Sequence, residues 1–182
     1  MPFIAKSAAP VASAPAGRHW TFDRAALGGL TSFVAPPGYL LSEGLFEAVA
    51  RQGRPVIWVR LGPEDRDPAT FLRSLVAAVQ RHHPGFGLDL VSGPAGDRPG
   101  WTARFVGLAT TLAVASPAPA SLVVEHAHHL GGGPGPALLG ALLGPLLEED
   151  RACIVTSDEP LPAGALPARG RSSPPTTCVS AR

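Results

Sequence analysis

The stretch 30–44, LTSFVAPPGYLLSEG, decides how the rest of the chain is read. Leu30 to Ala35 is a short apolar run, and Pro36, Pro37 and Gly38 stop it. A run of that kind, bounded by turn residues, reads as a buried strand. Behind the turn, Ser42 is placed to cap a helix carrying Leu45, Phe46 and Val49 on one face and ending near Gly53. Strand, glycine-bearing turn and helix is the layout of a phosphate-binding loop, in which backbone N–H groups at a helix start meet an anion.

The same alternation continues outward. Residues 55–61, PVIWVRL, form a second strand rich in β-branched and aromatic residues. Asp67 then caps a helix with Pro68 at its first position, where a missing N–H costs nothing. Phe71, Leu72, Leu75, Val76 and Val79 fall on one stripe of it, and Pro84-Gly85 closes it. Residues 85–100 are rich in glycine and proline and read as a loop. A helix over about 101–115 presents Phe105, Leu108, Ala109 and Leu112. Ser121 to Glu125 is a strand with a charge at its end, Gly131 to Gly135 a glycine-rich loop. Leu138, Leu139, Leu142, Leu143, Leu146 and Leu147 mark another helix, weakened by Gly140, Gly144 and Pro145. Ala152 to Thr156 is the last strand. Strands that are apolar throughout and alternate with helices imply a parallel sheet of about four to five strands covered on both faces. Ligands of such sheets lie at the carboxyl ends of the strands.

The boundaries follow from composition. Residues 1–20 read as a disordered leader, because Pro10 and Pro15 interrupt any signal-peptide core. Residues 21–160 form the domain, and 161–182, without an acidic residue, a flexible tail. The chain has 182 residues, of which 45% are apolar, ample for one core. A net charge of +1 gives no electrostatic case for nucleic acid. Only Cys153 and Cys178 occur, which excludes a disulfide framework. Cys153 falls within a strand as a small core residue and Cys178 in the tail. No apolar run is long enough to span a membrane, so the chain is expected to be cytoplasmic, without membrane contact.

The loop at 35–44, APPGYLLSEG, resembles the APAGYGKTTLL loop of the signal-transduction ATPases at the N-terminal part of maltose-activator-like, LuxR-type transcription regulators. Residues 55–72, PVIWVRLGPEDRDPATFL, look like that family's PVAWLSLDEEDNDPARFL run. Residues 121–130, SLVVEHAHHL, are similar to its Walker B segment LVLDDYHLI, and 153–157, CIVTS, to the next strand, usually ending TSR. The resemblance covers residues 22 to about 170. It implies an α/β, P-loop-NTPase-like three-layer fold with a nucleotide site at Gly38, Tyr39, Leu40, Leu41, Ser42, Glu125 and His126.

That site departs from the family. Leu40 stands where the loop needs a second glycine, and Leu41 where a lysine reaches the phosphates; only Ser42 survives to hold Mg²⁺. Lys6 is the only lysine, and it lies in the leader. An arginine such as Arg60 would have to approach from another strand, and the sequence does not place it there. Glu125 matches the first Walker B aspartate, His126 the second, and Asp158 reverses the charge of the usual arginine. Gly44 in the first helical turn costs about 1 kcal/mol relative to Ala. Leu40 and Leu41 are expected to pack where a nucleotide would sit.

Rival chemistries are weaker. Glu125, His126, His128 and His129 cluster at one strand end and suit Zn²⁺ or Fe²⁺ by type. His126 and His128 point the same way only if the strand continues, so a polar loop without a metal is expected. His82 and His83 end a helix, where a cation favours the dipole. Ser42 lacks the first glycine of a nucleophile elbow, and Arg169, Arg171 and Arg182 read as solvated tail charges. The sequence therefore predicts a regulatory or scaffolding pseudo-NTPase domain with no cofactor. Its alternatives are an ATP- and Mg²⁺-binding ATPase completed by a partner chain, or a pure protein-interaction domain. A protein partner or self-association is expected, to cover the sheet edge. Direct contact with nucleic acid is not, because the family's helix-turn-helix is missing.

Overall fold

The computed structural model describes residues 20–22, 29–34, 41–91, 100–115, 120–162, 164–167 and 179–181. Lys6, Gly38, Tyr39, Leu40, Cys178, the tail arginines and the loop at 92–99 lie outside them. The elements run β1 (Trp20–Phe22), β2 (Leu30–Val34), α1 (Leu41–Ala50), β3 (Val56–Arg60), α2 (Pro68–Gln80), α3 (Leu88–Val91), α4 (Trp101–Ala115), β4 (Ser121–Glu125), α5 (Gly135–Glu148), β5 (Cys153–Ser157) and β6 (Val179–Ala181). β1 and β6 pair antiparallel as a two-stranded sheet. The other four strands form a parallel sheet in the order β2-β5-β4-β3. The chain is thus α/β with an all-parallel four-stranded sheet.

That order fixes the layering. The connection from β2 to β3 crosses the whole sheet in one direction, while β3 to β4 to β5 steps back across it. Parallel crossovers are right-handed in about 98% of cases, so opposite directions of travel put their helices on opposite faces. Accordingly α1 covers one face, where Leu45, Ala48 and Val49 pack with Phe33, Val123 and Ile154. Helices α2, α4 and α5 cover the other, against Ile57, Val59, Leu122, Val124, Cys153 and Val155. Both faces of β4 and β5 are buried along their length, which is why these strands are apolar throughout rather than at alternate positions.

Helix α2 begins as its sequence demands, with the Asp67 carboxylate accepting from the Thr70 N–H at 2.9 Å and Pro68 at the first position. The five residues of its predicted stripe are all buried. Just before it, buried Asp65 accepts from Gly62 N–H at 2.7 Å and from Ser74 Oγ at 2.6 Å, tying the turn after β3 to α2.

Several expectations need correction. Ser42 does not cap α1; it is the helix's second residue, because its hydroxyl is drawn to another partner. Phe46 is not on the buried stripe: it is 63% exposed and packs against Trp58 with the rings tilted by 54° and their centroids 5.8 Å apart. Part of the expected loop at 85–100 is the short helix α3, in which Leu90 reaches the core. His82 and His83 follow α2 rather than lie in its last turn, and their N–H groups both donate to the Val79 carbonyl. Helix α5 runs through Gly140, Gly144 and Pro145 without a break. At Gly140 a Cβ would stand 2.7 Å from the Gly164 carbonyl oxygen, so the absent side chain admits the 164–167 segment. Of the stretch assigned by composition to a tail, Ala165 is fully buried and Leu161 and Leu166 pack against the core. No helix among the described residues is long and apolar enough to cross a membrane.

Candidate functional site

Side chains of a strand alternate between faces, so the apolar pattern of each strand also sets where its polar end points. On β3, Ile57 and Val59 face α2 and its neighbours, which turns Trp58 and Arg60 toward the α1 side. On β4, Val123 faces α1 and Glu125 shares that parity. Arg60 and Glu125 are paired positions of the parallel ladder, at the carboxyl ends of both strands. The start of α1 supplies Ser42 from above.

These four side chains meet at one carboxylate. Glu125 is 1% exposed. One of its oxygens accepts from Ser42 Oγ at 2.5 Å. The other accepts from Trp58 Nε1 at 2.8 Å and from Arg60 Nε at 3.0 Å. Burial alone pushes the Glu125 pKa up, but donation from Ser42, Trp58 and Arg60, together with the Arg60 charge, outweighs it and holds the carboxyl below its ordinary range. Glu125 is therefore an ionised, buried carboxylate. About three of its roughly four lone-pair positions are occupied by protein donors. Arg60 stays 66% exposed.

A second cluster lies beside the first, where β4 and β5 end. The strand does not continue past Glu125. His126 adopts a left-handed backbone, φ 59° and ψ 40°, a conformation in which His is enriched but which costs about 1–2 kcal/mol. Its N–H donates to Thr156 Oγ1 at 3.4 Å. The reversal brings its ring to His128 even without a continuing strand, with centroids 5.7 Å apart and edges to faces. His129 packs on His128 at 4.1 Å. Asp158 completes the group. Its N–H donates to His128 Nδ1 at 3.2 Å, and its carboxylate oxygens lie 3.8 Å from His126 Nδ1 and 3.8 Å from His128 Nε2.

The structure thus brings Ser42, Glu125 and His126 of the predicted site to one end of the sheet. Gly38, Tyr39 and Leu40 lie outside the described residues, and only the backbone of Leu41 is described. Sequence reasoning missed Trp58 as a ligand of the carboxylate and Asp158 as a neighbour of the histidines, and it left Arg60 unplaced. A signal for Arg60 existed: VIWVR and SLVVE end in opposite charges, and parallel strands of equal length place such ends side by side. At the other end of the sheet, Ile57, Leu112, Ala120, Leu122, Leu146 and Arg151 line a cavity of only about 10 Å³, room for about one water. No protein-family model matches the chain, and neither does any curated protein.

Proposed function

We propose that this chain is a regulatory or scaffolding domain of the P-loop-NTPase type, related to transcriptional regulators, whose nucleotide site does not hydrolyse ATP. The observation that carries this reading is the internal satisfaction of Glu125. The hydroxyl and carboxylate that an active site would offer to Mg²⁺ and water are bonded to each other, and Trp58 and Arg60 take most of the remaining acceptor capacity. The lone lysine of the chain is Lys6, far in sequence from the loop that would need it. Such a domain acts by binding other proteins, in the cytoplasm, and needs no nucleic-acid or membrane contact of its own.

One observation favours a second reading, an ATP-binding domain completed by a partner chain. Ser42 and Glu125 are 83 positions apart and yet meet, the proximity that a shared Mg²⁺ ion requires. Thermal unfolding with and without millimolar Mg-ATP and Mg-ADP separates the two. A nucleotide present at about 100 times its Kd stabilises the native state by about 2.7 kcal/mol, several degrees in midpoint for a domain of this size. An unchanged midpoint is the expected result. A Mg²⁺-dependent rise that Ser42→Ala abolishes would show that Ser42 and Glu125 are not closed off to Mg²⁺ and nucleotide, removing the observation that carries the first reading, and favour the second.

A further inference from the structure

We propose that His126, His128 and Asp158 form a binding site for one divalent transition-metal ion of the Zn²⁺ class. Two imidazoles and one carboxylate, with positions left open for water, are a donor set suited to such ions. The three residues offer ligand atoms that all lie within 4.8 Å of one another. Around a tetrahedral ion with bonds of about 2.0–2.1 Å, two ligand atoms stand roughly 3.4 Å apart. His126 Nδ1 and His128 Nε2 each stand 3.8 Å from a carboxylate oxygen of Asp158, a different oxygen for each, so the side chains must rotate inward to close on one ion. All three side chains are partly exposed, which gives an ion a way in.

Of two further features, the first argues that the cluster is built rather than incidental, and the second describes its metal-free state. The left-handed backbone at His126 is what folds its ring back over the end of β5 instead of along β4. The Asp158 N–H bond to His128 Nδ1 aims the opposite ring nitrogen, Nε2, at the Asp158 carboxylate. That second feature also predicts how binding proceeds. A neutral imidazole whose Nδ1 accepts a hydrogen bond carries its proton on Nε2. Coordination through Nε2 moves that proton to Nδ1 and breaks the bond from Asp158 N–H, so the turn after β5 rearranges as the ion enters.

The site shares His126 with the expected nucleotide site but uses neither Ser42 nor Glu125, and its test uses metal ions alone, so its outcome does not turn on nucleotide binding. Metal-free protein is titrated with Co²⁺, read by visible absorption, and with Zn²⁺, read by calorimetry, while the Asp158 amide signal is followed by NMR. Three variants accompany it: Asp158→Asn; His126→Asn, whose side chain tolerates the left-handed backbone; and the double change His82→Ala with His83→Ala, which removes the other histidine pair. Metal-free unfolding midpoints establish that each variant is folded. The expected result is one ion per chain, a shift of the Asp158 amide, and binding weaker by more than about tenfold in the Asp158 and His126 variants, a loss that even outer-shell changes can cause. The double variant is expected to bind like the parent. Absence of saturable binding, or binding that survives both ligand substitutions, or binding lost with His82 and His83, overturns the proposal.

Discussion

Replacing Glu125 by Gln removes a charge and almost nothing else, which makes it the sharpest probe of the buried carboxylate. Trp58 and Arg60 share one oxygen and Ser42 holds the other. In the amide, the carbonyl oxygen can take the two obligate donors, while the NH₂ meets Ser42, whose hydroxyl turns to accept. The contacts survive and the charge assistance is lost. A hydrogen bond to a charged group contributes about 1.5–3 kcal/mol and a neutral one about 0.5–1.5, so each bond weakens by roughly 1 kcal/mol. The Arg60 bond counts for little, since that side chain is 66% exposed, which leaves about 2 kcal/mol. Relief from burying an ion offsets part of it. Glu125→Gln is therefore expected to destabilise by about 1 kcal/mol at pH 7, or about 2–4 °C in midpoint. Glu125→Leu strands the Trp58 and Ser42 donors, at about 1–3 kcal/mol for each unmet group, and is expected to cost about 3 kcal/mol. The pH dependence supplies the signature. The folded pKa of Glu125 lies below its ordinary value of 4.5, so its stabilisation is fully present above that pH and is lost as pH falls through the folded value. Urea unfolding from pH 7 down past 4.5 should show the gap between parent and Glu125→Gln closing in acid. A gap that stays constant with pH, or a leucine variant no worse than the glutamine variant, would refute the reasoning.

Gly140 and Gly144, one turn apart in α5, should respond to alanine with opposite signs. A Cβ at Gly144 meets nothing within 4 Å and should stabilise by about 0.5–1 kcal/mol, whereas one at Gly140 runs into the Gly164 carbonyl and should destabilise despite better helix propensity; urea midpoints decide. Asp67→Ala removes the cap of α2 and should lower the midpoint in the same assay. Cys153 is buried and its thiol is pushed up to about 12, so in a Cys178→Ala background a thiol reagent at pH 8 should modify it only at the rate of unfolding; rapid labelling of that native variant would contradict its placement.

The sheet and its helices were legible because hydrophobic period and turn residues are local signals, and α2 is the clearest instance: Asp67, Pro68 and five spaced apolar residues specify it without help from the rest of the chain. The start of α1 was read less well for a tertiary reason. Ser42 has the chemistry of a cap, but a buried carboxylate 83 positions away competes for its hydroxyl. The candidate site followed the same division. Glu125 stood out as a charge closing an apolar strand, while its ring of donors depends on the register of β3 against β4, which no single segment encodes. The meeting of Asp158 with His126 and His128 depends further on one backbone reversal at His126.

The strand order has a consequence for how the molecule comes together in time. Leu30 of β2 pairs with Cys153 of β5, 123 positions later, and among the described residues β2 has no other neighbour in the sheet. A ribosome adds about 5–20 residues per second, so β2 emerges roughly 6–25 s before its partner exists. During that interval α1 also lacks most of its seat, since Val123 and Ile154 come from the two late strands. Strands β3 and β4, with the helices between them, can assemble first, and β5 then slots between β4 and the waiting β2. Through those seconds the apolar side of α1 is open to solvent, which makes that window the one in which a chaperone would have something to hold.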